Sequence, residues 1–407
     1  MKNILFLHPN FPGQFKWIAE ALAAGGEYRV CALRERAPQA ARGNDTVRIF
    51  EYEPPAALRE TVHRYLQGME TAVRRGQQVA RACAGLRKAG FTPDIIVAHP
   101  GWGDALYLKD IFPNTPLLCF FEYYYHASGA DVGFDPEFPA RPDDALRLRT
   151  INALHLMMLE ACDAGVCPTA WQKSLFPKAY HPKLTVAHEG INTELAKPDP
   201  AASFRMPGGP TVRAGDEVLT FVSRALEPYR GVHSFLRALP RVLAERPDCR
   251  VLIVGEEGQY YTPPPQDGIS YKKRYLDEVK AGLDMKRVHF LAPLPYGQYL
   301  KVLQVSKVHA YLTYPFILSW SFLEAMSAGC CVVGARVAPV REMLADGKNG
   351  LLVDFFDHAA IAQAITAGLG DGVDRKALGA KARATMRRRL DFQRHGLRSY
   401  TKILATM

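Results

Sequence analysis

The chain has 407 residues, of which 48% are hydrophobic, 23% charged and 10% aromatic. This composition describes a globular protein with room for two domains, and it excludes a disordered chain, a collagen and a small disulfide-stapled scaffold. The formal net charge of +10 is uneven, because residues 1–374 carry only +1 and the last 33 residues carry ten basic side chains against one acid, Asp391. The positive charge therefore marks one terminal segment and not a uniformly polyanion-binding protein.

No membrane span or signal peptide is expected. The longest uncharged apolar-rich stretch, residues 308–323, has 16 residues and contains Pro315, whereas a bilayer span needs about 20. The N-terminus reaches His8 and Pro9 after a short apolar run, which favours a first strand. The eight cysteines form no Cys-x-x-Cys pair. We expect them to be reduced core residues of a cytoplasmic protein.

Short apolar runs alternate with helical periodicity in both halves, which is typical of parallel sheets covered by helices. The runs expected to be strands are 4–8, 29–33, 94–98, 116–121, 164–167 and 184–188, then 218–222, 250–254, 288–291, 308–312, 331–334 and 350–353. The sequence thus predicts an α/β protein of two Rossmann-like, doubly wound domains facing across a cleft, with ligands at the carboxyl ends of the strands.

The predicted boundaries follow from composition. Residues 1–196 form the first domain, and residues 217–385 form the second. The intervening segment 197–216 is rich in proline and glycine without periodicity, so we expect a linker. Residues 386–407 are expected to be a C-terminal helix. The aromatic and acidic segment 120–139 is interpreted as a binding-cleft loop, with a packed helix as the alternative.

Several residues near predicted strand ends could carry chemistry. Gly13 lies at a strand-to-helix turn, where glycine lets backbone N–H groups approach a phosphate or sugar, although a plain tight turn explains it equally well. Arg224 and Arg230 could bind a diphosphate, or could be solvated surface arginines. Glu324 is the only charged residue between Lys307 and Arg336. Its carboxylate needs a hydrogen-bonded partner, either ribose hydroxyls or an internal salt bridge.

These residues and several short motifs resemble the retaining GT-B glycosyltransferases of family 4. The matching motifs are the pair Arg224 and Arg230 with segments 188–193 (HEGINT), 251–255 (VLIVG), 290–293 (FLAP), 323–326 (LEAM), 329–333 (GCCVV) and 350–353 (GLLV). The resemblance covers nearly the whole chain. Each motif is weak alone, but together they are specific.

The resemblance implies a donor site in the second domain. Arg224 and Arg230 would bind the donor diphosphate, with Arg230 standing where lysine is usual. Glu324 would bind the nucleotide ribose. Ser319 and Ser321 lie in the turn whose backbone N–H groups would meet the phosphates or the sugar. In the first domain, Gly13 matches the loop glycine that allows approach to the donor.

The resemblance also implies catalytic residues in the first domain. His99 would lie beside the acceptor pocket, with a buried helix-capping histidine as the alternative. Glu122 stands where many relatives have a histidine that contacts the donor sugar, so we expect it to contact donor or acceptor hydroxyls, with His126 as a neighbour. The first glutamate of the family's paired motif falls at Phe316, so the identity of the donor sugar does not transfer.

The sequence therefore predicts a retaining hexosyltransferase. It would move a sugar from a UDP- or GDP-linked donor to a hydroxyl of a glycan, lipid-linked or small-molecule acceptor, with no cofactor beyond the donor. No metal is expected, because no Asp-x-Asp pair occurs and two arginines supply the charge that a metal would supply.

The basic tail supports an alternative function, a membrane- or nucleic-acid-surface binding protein with a degenerate transferase domain. On one helix, basic residues would share one side and leucines another: Arg383, Arg387, Arg394 and Arg398, and Leu390, Leu397 and Leu404. That pattern fits a membrane surface. It equally fits residues 386–407 as a helix that crosses back to the first domain, which the resemblance to GT-B proteins implies. We favour the crossing helix in a cytoplasmic protein, with peripheral contact at the inner membrane face as an added role and no nucleic-acid partner.

Overall fold

The computed structural model describes residues 1–36, 46–58 and 61–407. The chain divides into two compact units. Unit 1 comprises Met1–Gly190 together with Phe392–Met407, and unit 2 comprises Ile191–Asp391. Each unit is an α/β domain with its own parallel sheet, as the alternating apolar runs predict.

Unit 1 is built on one parallel sheet. Its strands are β1 (Lys2–Leu7), β2 (Tyr28–Glu35), β3 (Arg48–Tyr52), β4 (Ile95–Ala98), β5 (Leu117–Phe120), β6 (Ala164–Cys167) and β7 (Leu184–Val186). Its helices are α1 (Lys16–Ala24), α2 (Gln67–Lys88), α3 (Leu108–Ile111), α4 (Asp144–Ala161), α5 (Ala170–Leu175) and, from the end of the chain, α13 (Leu397–Ala405). The strand order among the described residues is β3-β2-β1-β4-β5-β6-β7, so the order reverses between β1 and β4.

The sheet of unit 1 is covered on both faces, which explains its continuous apolar strands. In β1, Ile4 and Phe6 point to one face and Leu5 and Leu7 to the other, and all are fully buried. Helices α1 and α13 cover the first face, and α2, α3 and α4 cover the second. Such alternation in a strand buried on both sides places the next residue, His8, at the carboxyl edge of the sheet.

Unit 2 repeats the plan. Its strands are β8 (Ser203–Arg205), β9 (Thr211–Arg213), β10 (Val218–Ala225), β11 (Arg250–Glu256), β12 (Val288–Leu291), β13 (Val308–Tyr311), β14 (Cys331–Ala335) and β15 (Leu351–Val353). Its helices are α6 (Val232–Glu245), α7 (Tyr271–Val279), α8 (Tyr296–Val305), α9 (Trp320–Ser327), α10 (Ala338–Met343), α11 (His358–Leu369) and α12 (Arg375–Arg389). The parallel sheet has the order β12-β11-β10-β13-β14-β15 and reverses between β10 and β13.

The expected linker at residues 197–216 is instead part of unit 2. Its two antiparallel strands, β8 and β9, form a hairpin. Phe204 and Val212 on this hairpin are buried against Val218 and Leu252 of the main sheet. The Pro- and Gly-rich composition marks the hairpin turn, and buried apolar side chains at every second position fix the strands to the domain.

The C-terminal tail is not one helix, so the expected continuous helix over 386–407 is wrong. Helix α12 ends at Arg389, and Asp391 forms a bridge with Ile191 and accepts a hydrogen bond from the Thr193 hydroxyl at 2.5 Å. A π-helical turn, Phe392–Gly396, then leads into α13. This break separates the basic residues into two helices.

Helices α12 and α13 of the tail make different contacts. In α13, Tyr400 and Leu404 are fully buried in the core that α1 also lines. In α12, Arg383 donates hydrogen bonds from one guanidinium nitrogen to the carbonyls of Thr193, Ala196 and Ser327. Arg383 therefore ties α12 to unit 2 and does not belong to an exposed basic face.

Two expectations about composition can be compared with the structure. All eight cysteines are buried free thiols, which confirms that they are core residues. Among the described residues, no helix combines the length and the apolar character that crossing a membrane requires.

The segment between β5 and α4 contains no helix, so the packed-helix alternative for residues 120–139 is wrong.

Candidate active site

Two histidines lie at the switch point of the unit 1 sheet. Leu7 pairs with Ala98 across β1 and β4, so the residues that follow them, His8 and His99, emerge side by side. Their ring centroids are 5.6 Å apart, and both side chains are buried. In each ring Nδ1 accepts a backbone N–H two residues on, from Asn10 at 3.0 Å and from Gly101 at 3.2 Å. The neutral form of each ring therefore carries its proton on Nε2.

The structure shows the capping role of His99, which was the alternative to a place beside the acceptor pocket. It caps a short 3-10 turn through Nδ1, and its Nε2 lies 3.5 Å from Oε2 of Glu122. His8, which sequence reasoning did not select, has its pKa lowered to about 3 by burial and by the neighbouring His99. His8 is therefore neutral near pH 7.

Gly13 lies against the His8 ring. Its backbone has φ +46°, and a Cβ atom at this position would meet Nε2 of His8 at 2.5 Å. The structure thus gives a reason for glycine that the sequence did not: the loop can pass over the buried imidazole only without a side chain.

We predict that Gly13→Ala will lower the free energy of unfolding more than Gly26→Ala does. Both glycines have positive φ, but a Cβ at Gly26 would meet nothing within 4 Å. Gly26→Ala should cost about 1–2 kcal/mol from backbone strain alone, and Gly13→Ala should add about 1–3 kcal/mol for the clash. Urea denaturation of both variants measures the difference. Equal losses would show that His8 does not constrain the loop.

Glu122 follows β5 and joins the two histidines. Gln14 donates a hydrogen bond from Nε2 to Oε1 of Glu122 at 3.1 Å, and the Gln172 side chain donates to the Glu122 backbone carbonyl at 2.6 Å. Burial alone would raise the pKa of the Glu122 carboxyl, but the neighbouring His99 ring and the hydrogen bond from Gln14 outweigh it and hold the pKa below its usual value of 4.5. The side chain keeps 24% exposure. It is an ionised carboxylate that solvent can reach.

Trp102 and His126 make different contacts. Trp102 stacks on His99 with centroids 4.1 Å apart and keeps 36% exposure. It also lies 5.0 Å from the His8 ring centroid, and sequence reasoning missed it. His126, expected near Glu122, instead has Nε2 at 2.8 Å from the carbonyl of Leu175 at the end of α5.

The second group of predicted residues lies at the switch point of the unit 2 sheet. Arg224 is exposed near the end of β10, and its guanidinium carbon lies 3.6 Å from the ring centroid of Tyr260. Arg230 follows in a short 3-10 turn and is 9% exposed. It donates to the Ile317 carbonyl at 2.8 Å. Arg230 is thus a nearly buried cation and not a solvated surface arginine.

Gly231 allows the chain to turn directly after Arg230. Its φ is +75°, and a Cβ here would meet Leu312 at 2.5 Å, next to the end of β13. Helix α6 begins at Val232. The glycine therefore holds the Arg230 turn against the neighbouring strand end.

Phe316, at the position expected for the first glutamate of the family pair, is 2% exposed. Its ring packs against Tyr229 at 5.3 Å and Tyr261 at 4.8 Å between centroids. Arg230 lies 5.7 Å from the same ring. An aromatic cluster therefore fills the place of a carboxylate.

The serines of the predicted turn mainly build the start of α9. Ser319 is the N-cap and accepts the Phe322 N–H, and its hydroxyl lies 2.6 Å from that of Ser321. Ser321 also donates to the Val222 carbonyl of β10 at 3.2 Å. The Ser319 N–H already donates to the Tyr311 hydroxyl at 2.9 Å. The expectation that this particular N–H binds a ligand is therefore not supported.

Glu324 on α9 is 5% exposed and has protein partners that the sequence did not reveal. Its Oε1 accepts from the Tyr296 hydroxyl at 2.7 Å, and its Oε2 accepts from the Tyr299 hydroxyl at 2.6 Å. Burial and the nearby carboxylate raise the pKa of both tyrosines. The carboxylate thus joins α8 to α9.

We predict that Tyr299→Phe will lower the free energy of unfolding by about 1.5–3 kcal/mol, the range for a hydrogen bond to a charged group. Tyr271→Phe is the matched control, because its hydroxyl donates to the neutral carbonyl of Pro263 at 2.7 Å and should cost about 0.5–1.5 kcal/mol. Urea denaturation distinguishes them. A loss in Tyr299→Phe no larger than in Tyr271→Phe would contradict a charged, buried Glu324.

Two family models match the chain, one on each unit. The model of the glycosyl transferase family 4 group matches residues 26–196, and the model of glycosyl transferases group 1 matches residues 209–385. The chain belongs to the family 4, group 1 glycosyltransferases. The matches cover the strand ends that carry His99 and Glu122 in unit 1 and Arg224 and Arg230 in unit 2.

Curated relatives of this glycosyltransferase align over part of their length. The D-inositol 3-phosphate glycosyltransferase of Corynebacterium efficiens is 31% identical over 169 residues, which are 41% of this chain and 38% of that protein. The phosphatidyl-myo-inositol mannosyltransferase of Mycolicibacterium smegmatis is 28% identical over 276 residues, covering 60% of this chain and 66% of that protein. The aligned part is thus less than two thirds of either relative.

Solved structures show the fold. The sucrose-phosphate synthase of Thermosynechococcus elongatus superposes with a TM-score of 0.73 at 19% identity, with both chains fully covered. Anabaena HepE in complex with UDP-glucose gives 0.67 at 17% identity, again over both whole chains. The predicted GT-B fold of this glycosyltransferase is confirmed.

Proposed function

We propose that this glycosyltransferase moves a hexosyl group from a UDP- or GDP-linked sugar to an acceptor hydroxyl, with retention of the anomeric configuration and without a metal. The observation that carries the proposal is the pair of guanidinium groups, Arg224 and Arg230, at the carboxyl edge of the unit 2 sheet. Ligands of doubly wound sheets bind at this edge, beside the switch point.

The two arginines suit a diphosphate leaving group. During transfer, the bond between the sugar C1 and the phosphate oxygen breaks, and negative charge grows on the diphosphate. Fixed cations in a partly buried site stabilise that charge in the transition state. Two guanidinium groups would thus supply the positive charge that a metal ion supplies in other transferases.

The polar edge of unit 1 suits sugar or acceptor hydroxyls. Glu122 is an ionised acceptor, His99 carries a donor on Nε2, and Trp102 stacks on His99 and keeps 36% exposure. In the proposed retaining reaction, the acceptor oxygen bonds to C1 on the face that the diphosphate leaves. The acceptor proton passes to a phosphate oxygen of the leaving group.

The acceptor class is proposed from the relatives. The Corynebacterium efficiens relative is named for D-inositol 3-phosphate, and the Mycolicibacterium smegmatis relative for phosphatidyl-myo-inositol. We therefore infer an acceptor with a polyol hydroxyl, on a small molecule, a glycan or a lipid-linked headgroup. The degenerate-domain alternative is not favoured, because both units match glycosyltransferase models.

A transfer assay tests the proposal. The protein is incubated with each of UDP- and GDP-glucose and UDP- and GDP-mannose and with inositol 3-phosphate or phosphatidylinositol, and NMR follows the anomeric proton of the product. We expect product with the donor's configuration, formed equally well in EDTA. Inverted product would refute retention, and loss of transfer in EDTA that Mg²⁺ restores would refute metal independence.

We further propose that α12 contacts an acidic membrane surface. Its exposed basic side chains are Lys376, Lys381, Arg387, Arg388 and Arg389. Each basic residue near an anionic surface contributes about 1 kcal/mol. We predict that the protein will pellet with vesicles of phosphatidylcholine and phosphatidylglycerol but not with phosphatidylcholine alone, and that the double change Arg387→Gln with Arg388→Gln will weaken binding about 30-fold. Equal pelleting with both vesicles, or none, would contradict the contact.

A further inference from the structure

The loop that follows β11 places two adjacent tyrosine rings against the two arginines. We call residues 257–262 the tyrosine loop. The ring centroid of Tyr260 lies 3.6 Å from the guanidinium carbon of Arg224, and that of Tyr261 lies 5.2 Å from the guanidinium carbon of Arg230. Both distances are within the range of cation–π attraction. The rings keep 45% and 40% exposure, so they are at the surface and not part of a core.

The tyrosine loop is anchored by a buried carboxylate. Glu227 lies between the two arginines in sequence and is 1% exposed. One of its oxygens, Oε2, accepts the backbone N–H groups of Tyr260, Tyr261 and Thr262 at 3.1, 2.9 and 2.8 Å. Three N–H donors on one carboxylate oxygen hold the loop backbone against the Glu227 side chain. The turn that carries Arg230 thus also fixes the backbone beneath both rings.

A second contact orients the Tyr260 ring. Its hydroxyl donates a hydrogen bond to Glu256 at the end of β11. The ring is therefore held by its backbone at one end and by its hydroxyl at the other, although nearly half of its surface is exposed. An exposed tyrosine that is fixed in this way needs an explanation other than core packing.

Stacking on a ring restricts a guanidinium without occupying its donors. A free arginine side chain has about 2 kcal/mol of rotamer entropy to lose when it binds an anion. A ring against the guanidinium face removes part of that freedom beforehand. The N–H donors lie in the guanidinium plane, so the stack leaves their directions open to an anion.

We propose that Tyr260 and Tyr261 are positioning residues that orient Arg224 and Arg230 for the donor diphosphate, with Glu227 as the anchor of their loop. The inference rests on the proposed function, since it concerns how the same diphosphate site is preorganised. The tyrosine loop would thus promote donor binding by orienting the two arginines, and not by contacting the base or the sugar.

Isothermal titration calorimetry with UDP, GDP and inorganic pyrophosphate tests the inference. The proteins are wild type, Tyr260→Ala, Tyr260→Phe, Arg224→Ala and the double variant Tyr260→Ala/Arg224→Ala. We expect Tyr260→Ala to weaken all three ligands about 3- to 10-fold, the size of a cation–π contact. Tyr260→Phe keeps the ring face and should restore most of the affinity. The double variant should bind no more weakly than Arg224→Ala alone.

Phe356→Ala is the matched control, because Phe356 is an exposed aromatic residue of the same unit with 39% exposure, and it should bind like wild type. Additive losses in the double variant, or a loss in Tyr260→Phe equal to that in Tyr260→Ala, would overturn the inference. Weaker UDP and GDP binding with unchanged pyrophosphate binding would also overturn it, because the ring would then contact the base. If wild type bound none of the three ligands, the proposed function itself would fail, and this inference with it.

Discussion

Replacing Arg230 with alanine should lower kcat/KM for the nucleotide-sugar donor by about 100- to 1000-fold, the loss seen when a fixed charge-stabilising group is removed from an active site. Arg230 is 9% exposed and is held by the Ile317 carbonyl at 2.8 Å. Its charge is therefore weakly screened by solvent and is fixed in direction before the donor binds. Initial rates at varied donor concentration measure the effect.

Two further variants separate charge from folding. Arg230→Lys keeps the cation but replaces a fork with a point charge, so it should lose only about tenfold. Arg241→Ala is the control, because Arg241 is on the surface of α6 with 51% side-chain exposure and pairs with Glu245. It should keep wild-type kinetics. If kcat/KM of Arg230→Ala were close to that of Arg241→Ala, Arg230 would not belong to the diphosphate site.

Replacing Glu122 with glutamine should lower kcat/KM by about 10- to 100-fold, because charge-assisted hydrogen bonds to substrate hydroxyls become neutral ones. Gln14 and His99 surround the carboxylate, so the shape of the site should persist in the amide variant. Glu160→Gln, an exposed change on α4, is the control. Unchanged turnover and unchanged Michaelis constants for both substrates would make the assignment of Glu122 wrong.

The pKa of the Glu122 carboxyl leads to a prediction about the pH dependence of activity. Because the folded-state pKa of Glu122 lies below its usual 4.5, the group is ionised throughout pH 5–8, and its contribution is lost only as the pH falls through that lower value. His8, with a pKa of about 3, stays neutral over the same range. A wild-type loss of activity between pH 7 and 5 that disappears in Glu122→Gln would contradict this assignment.

The strands could be predicted from the sequence where they are buried on both faces. All twelve apolar runs are strands of the two parallel sheets. A short, continuous apolar run between turn residues in an α/β chain usually forms a strand that is buried on both faces. The edge strand Arg48–Tyr52 was missed, because its half-buried residues alternate with charged ones. The hairpin Ser203–Arg213 was missed because proline and glycine in its turn resemble a linker.

The candidate site was predictable to the extent that its residues follow strands. His99 and Glu122 follow strands of the unit 1 sheet, and Arg224 lies near the end of a strand of the unit 2 sheet. Within each sheet, parallel strands bring their carboxyl ends to the same edge. Their partners come from distant parts of the chain and left no local signal. Tyr296 and Tyr299, which bind Glu324, show only helical spacing.

The basic tail shows a further limit of sequence periodicity. Residues 383 and 398 would share a side of one continuous helix, but the bridge at Asp391 ends α12 and α13 begins at Leu397. Nothing in the periodicity of the tail reveals a long-range hydrogen bond such as that from Thr193 to Asp391. The ten basic residues of the tail are thereby divided between a helix of unit 2, the π-helical turn and a helix packed in unit 1.

A panel of UDP-, GDP- and ADP-sugars, examined by thermal shift and by hydrolysis, tests the central claim most directly. We predict that at least one UDP- or GDP-sugar will raise the melting temperature of the wild type and be hydrolysed slowly. Both effects should be lost in Arg224→Ala/Arg230→Ala and kept in Arg241→Ala. If no nucleotide sugar bound, or if binding survived the loss of both arginines, the proposed donor site would be contradicted.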